Sequence, residues 1–99
     1  MATAGPASAA APCGKAGVLR DGLVLRMKAG VAANMRTGSS TACGITGWAD
    51  NQDSLKFYCY TGNGEGGPWT YLYNSTDKTY GWVKSSLLPN EGSVYPCGF

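Results

Sequence analysis

Ninety-nine residues make one small domain, whose thin hydrophobic core needs further covalent support. Eight Lys and Arg against six Asp and Glu give a formal charge of +2, and only 14% of residues are charged, which speaks against nucleic acid as a partner. Histidine is absent, which removes Ser-His-Asp and Cys-His nucleophiles, His-ligated zinc and the commonest general acid/base, and no apolar run approaches the ~20 residues of a membrane-spanning helix.

Ala2 to Pro12 is built of small residues, with the Ala-Ser-Ala and Ala-Ala-Ala texture found around signal-peptidase sites and no charged or apolar region ahead of it. Residues 1–12 read as a flexible remnant beside a removed export signal, with a plain disordered tail as the alternative, and residues 13–99 as a single domain. No segment shows a capped helical period, while fifteen Gly, five Pro and 11% aromatics favour turn-rich β structure. Asp21-Gly22, set between the apolar flanks of Val18–Met27, predicts a short hairpin. Val31–Arg36 alternates weakly and runs into a polar loop at Thr37–Thr41, and Cys43–Trp48 is a short strand followed by a turn over Ala49–Ser54. Leu55–Tyr60 is the clearest strand. Thr61–Pro68 is expected as a flexible loop, Trp69–Tyr73 as a second strong strand, Asn74–Thr79 as a turn and Tyr80–Lys84 as a further strand. Ser85–Pro89 suggests a tight turn and a brief closing strand, and the tail Tyr95–Phe99 is anchored if Cys97 is bridged. About five to seven short strands make an all-β fold, a small barrel or sandwich.

The four cysteines, Cys13, Cys43, Cys59 and Cys97, include no C-x-x-C pair, so zinc and redox motifs have no support and two structural disulfides are expected. Such bridges belong to an exported, extracellular protein. Of three possible connectivities, Cys13–Cys97 with Cys43–Cys59 is favoured, because the first would tie the ends together and the second would close a loop short enough for adjacent strands.

Asn34-Met-Arg-Thr-Gly-Ser-Ser-Thr41, the strand Leu55–Tyr60, Trp69-Thr-Tyr-Leu72 and Gly81-Trp-Val-Lys-Ser-Ser-Leu-Leu88 follow one another in an order that resembles the bacterial Src-homology 3 (SH3) domain. They correspond to that family's N-V-R-S-G-P-S-T signature, central strand, W-x-x-V strand and G-W-V-x-x-x-Y-L ending. The resemblance covers residues 28–88, leaving both cysteine-bearing ends outside it, and the alanine-rich start and four cysteines look most like small exported actinobacterial members. It implies an SH3-like barrel with Val31, Met35, Ile45, Leu55, Phe57, Leu72, Val83 and Leu88 in its core.

Alternation then points Tyr58, Tyr60, Trp69, Tyr71 and Tyr73 outward or towards a groove, with Arg36 and Lys84 nearby. Tyr and Trp supply rigid contact area with a polar handle, so Arg36, Tyr58, Tyr60, Trp69, Tyr71, Tyr73 and Trp82 are the candidate ligand-binding residues, although for Trp82 core packing is the favoured reading. Gly62–Pro68 lacks the lysine and helix of a phosphate loop, the carboxylates are scattered over turns, and Asn74-Ser-Thr76 fits a glycosylation sequon. The resemblance implies a non-catalytic, cofactor-free, monomeric binding module, secreted and engaging cell-wall peptidoglycan peptide or glycan without inserting into a membrane. The alternative is a secreted effector or protease inhibitor presenting residues 61–68 to a protein.

Overall fold

The two longest strands are the two whose sequence alternates most clearly. In the computed structural model, which describes residues 10–99, β1 (Val24–Leu25), β2 (Ala33–Arg36), β3 (Ile45–Ala49), β4 (Leu55–Gly64), β5 (Gly67–Asn74) and β6 (Thr79–Lys84) form one antiparallel sheet in the order β1-β4-β5-β6-β2-β3. The sheet curls into a half-barrel, followed by 3-10 turns at Ser85–Leu87 and Pro89–Glu91, and the expected all-β SH3-like class holds. No helix among the described residues is long and apolar enough to cross a membrane.

One face of the sheet closes over the main core. Leu55 and Phe57 of β4, Leu72 of β5, Val83 of β6 and Met35 of β2 are fully buried with Leu88 behind them, as expected, and Val31 packs partly buried at the margin. Ile45 is a correction, being 58% exposed. The register slips between Met35 and Arg36, so Ile45 pairs with Arg36 and lies on the opposite face from Met35.

Further expectations fail for identifiable reasons. Thr61–Pro68 is largely strand: β4 and β5 pair through to Gly64 opposite Gly67, and Gly66 at φ 73° turns the chain between them, a conformation glycine adopts without steric cost. Asp21-Gly22 does turn, with Gly22 at φ 88°, yet its flanks do not pair with each other. The long edge of β4 captures them instead: Val24 pairs with Lys56, Leu25 with Leu55, and the Tyr58 carbonyl accepts the N–H groups of Arg20 and Asp21. In place of a closing strand after Lys84, the chain winds through the two 3-10 turns. The packed chain also starts before residue 13, because Ala11 is buried and exchanges hydrogen bonds with Ser39; the rest of the expected remnant, residues 1–9, lies outside the described residues.

Both disulfides form, but in a different pairing from the one favoured: Cys13 with Cys43 and Cys59 with Cys97. Sequence separation suggested joining the ends, whereas the sheet brings each end against a different part of the body. Tyr95, Pro96 and Cys97 lie along Tyr60 of β4, which sets Cys97 beside Cys59. Asn74 of the sequon is fully buried, with Nδ2 donating to the Trp48 carbonyl, so folding withdraws it from modification.

Candidate functional site

The outer face of the sheet carries the aromatic side chains. In antiparallel pairs, residues directly opposite share a face, so Tyr71 on β5 groups with Trp82 on β6 and, through it, with Arg36 on β2; Tyr73 groups with Tyr80. Between Phe57 and Cys59 the β4 register shifts by one residue. This bulge turns Tyr58 and Cys59 to the same outer side, where Tyr58 meets both Tyr71 and Tyr80 edge to face at 5.7 and 5.8 Å. Tyr71 stacks on Tyr80 at 6.0 Å, and Tyr73 lies 4.4 Å from Tyr80. Four tyrosine rings from three strands thus form a continuous half-exposed cluster.

The surroundings of Tyr58 and Tyr71 disfavour loss of their hydroxyl protons. The Tyr58 hydroxyl is pushed up to about 12, chiefly by its hydrogen bond to the Tyr80 side chain and then by burial, and burial followed by proximity to Tyr80 raises Tyr71 as well. A neutral phenol both donates and accepts, which suits the hydroxyl and amide groups of sugars and peptides.

Beside the tyrosines a shallow cleft of about 160 Å³ runs between Tyr71, Tyr80 and the chain at Gly14–Ala16, with Arg36 and Thr46 at its other side. A second, of about 250 Å³, lies between Asn34, Arg36, Trp69, Lys84 and Leu87. Arg36 is common to both, and its Nη1 donates to the Thr41 and Cys43 carbonyls at 3.0 and 3.1 Å, so it braces the loop after β2 while lining the two clefts.

Of the residues singled out by sequence, Tyr58, Tyr71 and Tyr73 come together. Tyr60 does not join them: beyond the bulge it pairs with Thr70, on the Leu72 side of the sheet, and abuts Pro96. Trp69 lies on the outer face but is buried rather than outward-pointing, and Trp82 on the same face is buried, as its core reading has it. The Trp69 indole N–H donates to the Glu65 carbonyl and closes the β4–β5 hairpin; the Trp82 indole N–H donates to the Lys15 carbonyl at 2.6 Å, beneath the N-terminal segment. Tyr80, 46% exposed and in contact with three other tyrosines, is the member the sequence reading omitted. The Asn74–Thr79 turn carried the signal, since a hairpin closed there sets Tyr80 opposite Tyr73.

Among the described residues no group of three or more His, Cys, Asp or Glu side chains is placed to hold a metal. A curled antiparallel half-barrel with clustered rings on one face is the build of a small β-barrel binding domain. This chain belongs to the bacterial SH3 domain family, whose model matches residues 30–89, and members of that family are generally non-catalytic binding domains. The comparisons with curated proteins and with solved structures returned no match. The matched segment holds β2 to β6; β1, the N-terminal segment over Trp82 and the C-terminal tail are additions, and each disulfide joins a cysteine inside the match to one outside it.

Proposed function

We propose that this protein is a secreted, monomeric, non-catalytic module that binds peptidoglycan peptide or glycan on its tyrosine face. The observation that carries this reading is the cluster of Tyr58, Tyr71, Tyr73 and Tyr80 beside an open cleft, a preformed platform of hydroxyl-bearing rings. Two disulfides in so short a chain support an oxidising, extracellular setting. The alternative of a secreted protein-binding effector or inhibitor has a disulfide-closed body present residues 61–68 as a loop. That segment is a paired hairpin, and the Glu65 carboxylate at its tip accepts hydrogen bonds from Ser40 and Thr41, so no loose loop is presented.

The test is co-sedimentation of the oxidised protein with purified peptidoglycan. Tyr73→Ala and Tyr80→Ala should each leave most of the protein in the supernatant, whereas Trp48→Ala, which removes a 53% exposed aromatic on the β3 edge, should sediment like the parent. Equal sedimentation of all folded variants would remove the tyrosine face from the site.

A further inference from the structure

A short strap passes over the outer face of the sheet from one strand to the next. The Gly14 N–H donates to the Thr37 carbonyl just past β2, the Lys15 carbonyl accepts from Trp82 on β6, and Gly17 rests on Tyr71 of β5 and Cys59 of β4. The strap begins in a turn, where the Lys15 N–H donates to the Pro12 carbonyl and Gly14 stands at φ 90°, and from there Lys15–Gly17 passes over β6 and β5. Trp82, which also packs against Phe99, stays covered while both ends of the strap are held.

The two ends are held differently. At Gly17 the fit is so close that a Cβ there would stand 2.6 Å from the Tyr71 Cβ, and the next residue, Val18, donates its N–H to the Cys59 Sγ at 3.3 Å. The Cys59–Cys97 bridge at this end is buried on both sides, whereas at the other end Cys13 is exposed and only its partner Cys43 is buried. A soluble reductant therefore meets Cys13 first.

We propose that Cys13–Cys43 is a reducible latch, and that its opening lifts Gly14–Ala16 off Trp82 and adds this indole to the ligand platform. The Trp82 ring lies 5.1 Å from Tyr71, so uncovering it lengthens the row of rings by one place, enough for a further sugar ring or flat peptide group. This extension rests on the wall-binding reading; the latch itself does not. In the chemistry a small dithiol is the reductant. Its thiolate attacks Cys13 Sγ, the Sγ–Sγ bond breaks with Cys43 leaving as thiolate, and the second thiol displaces Cys13. Two electrons leave the dithiol, which becomes a cyclic disulfide, and its two protons end on Cys13 and Cys43.

The experiment uses the full chain carrying Trp48→Phe, which removes the exposed indole, under limiting dithiothreitol. Alkylation and mass spectrometry should find Cys13 and Cys43 labelled well before Cys59 and Cys97, with acrylamide quenching of tryptophan fluorescence rising severalfold in step and the β-sheet circular dichroism retained. A Cys13→Ser, Cys43→Ser double variant should show the same quenching without reductant, and the partly reduced parent decides the matter should that variant not fold. Simultaneous labelling of all four cysteines, loss of the fold on partial reduction, or an indole still shielded once Cys13 and Cys43 are labelled would each overturn the latch. Peptidoglycan co-sedimentation is measured on the same samples and should increase on reduction. An opened protein that sediments no better than a binding-competent oxidised one overturns the added platform, whereas failure of both forms to sediment strikes the wall-binding reading and leaves labelling and quenching to decide the latch.

Discussion

Tyr58 and Tyr80 meet edge to face with ring centroids 5.8 Å apart and share a side-chain hydrogen bond, although β4 and β6 are not neighbours in the sheet. The contact passes over β5, where Tyr71 lies between the two strands and touches both rings. Because the folded Tyr58 is raised from 10.0 to about 12, the unfolded chain loses this proton at lower pH than the folded one. Its stabilising contribution is complete below pH 10.0 and fades as pH rises through about 12. Phenolate absorbance should show late-titrating tyrosines, and Tyr80→Phe, which removes the hydroxyl, should bring the titration of Tyr58 to lower pH. An unchanged titration would dissolve the pairing.

Trp69→Ala should act on stability. The side chain is 3% exposed and its N–H closes the hairpin on Glu65, so truncation should cost about 3–5 kcal/mol in denaturant unfolding. A folded variant of parental stability would show that Trp69 is free to act as a surface contact after all.

Gly81 pairs with Leu72 at the middle of the sheet, and a Cβ on it would lie 2.5 Å from the Thr46 hydroxyl and 2.8 Å from the Met35 Cβ. Gly81→Ala should therefore push β6 against β2 and β3 and destabilise by about 1–3 kcal/mol. The same measurement on Gly44→Ala, where a Cβ would meet nothing within 4 Å, should show little change.

Removing the buried bridge with Cys59→Ser and Cys97→Ser should lower stability by about 4 kcal/mol on the chain-entropy view, given a sequence separation of 38. A matching melting temperature for variant and parent would mean that the tail is held by packing alone.

Glu65 gives an acid-side test. Its carboxylate accepts from the Thr41 N–H and from the Thr41 and Ser40 hydroxyls, which hold it below its ordinary 4.5. The folded form binds the proton less readily, so this contribution is present above pH 4.5 and is lost as pH falls through the lower folded value. Glu65→Gln should flatten that part of the stability profile, and an unaltered slope would place its origin elsewhere.

Strands β4 and β5 were legible in the sequence because each alternates over a buried face, and β6 because it is an aromatic and β-branched run that follows a turn. Local pattern failed where a competing partner existed. Asp21-Gly22 has hairpin chemistry, but its flanks gain more by pairing with the long edge of β4 than with each other. Of the tyrosine cluster, Tyr58, Tyr71 and Tyr73 were readable, while Tyr60 was misplaced by a bulge that alternation does not register. Trp69 looks like a surface residue until the hairpin tip is closed over it, whereas the core reading of Trp82 holds, beneath the N-terminal strap. The disulfide map was out of reach because spacing does not say which segment each end of the chain lies against.

The pairing of the cysteines also decides how the domain would carry tension. A pull applied between residues 10 and 99 enters through Cys13, passes to Cys43, follows the chain to Cys59 and leaves through Cys97. Only β3, the turn after it and the start of β4 lie on that covalent path, and they can pay out no more than roughly 55 Å. β2, β5, β6 and most of the tyrosine face sit inside closed loops that the force bypasses. A module stretched between two anchors would thus keep its ring-bearing strands unloaded, and cleaving Cys13–Cys43 would bring residues 14–42 onto the load-bearing path.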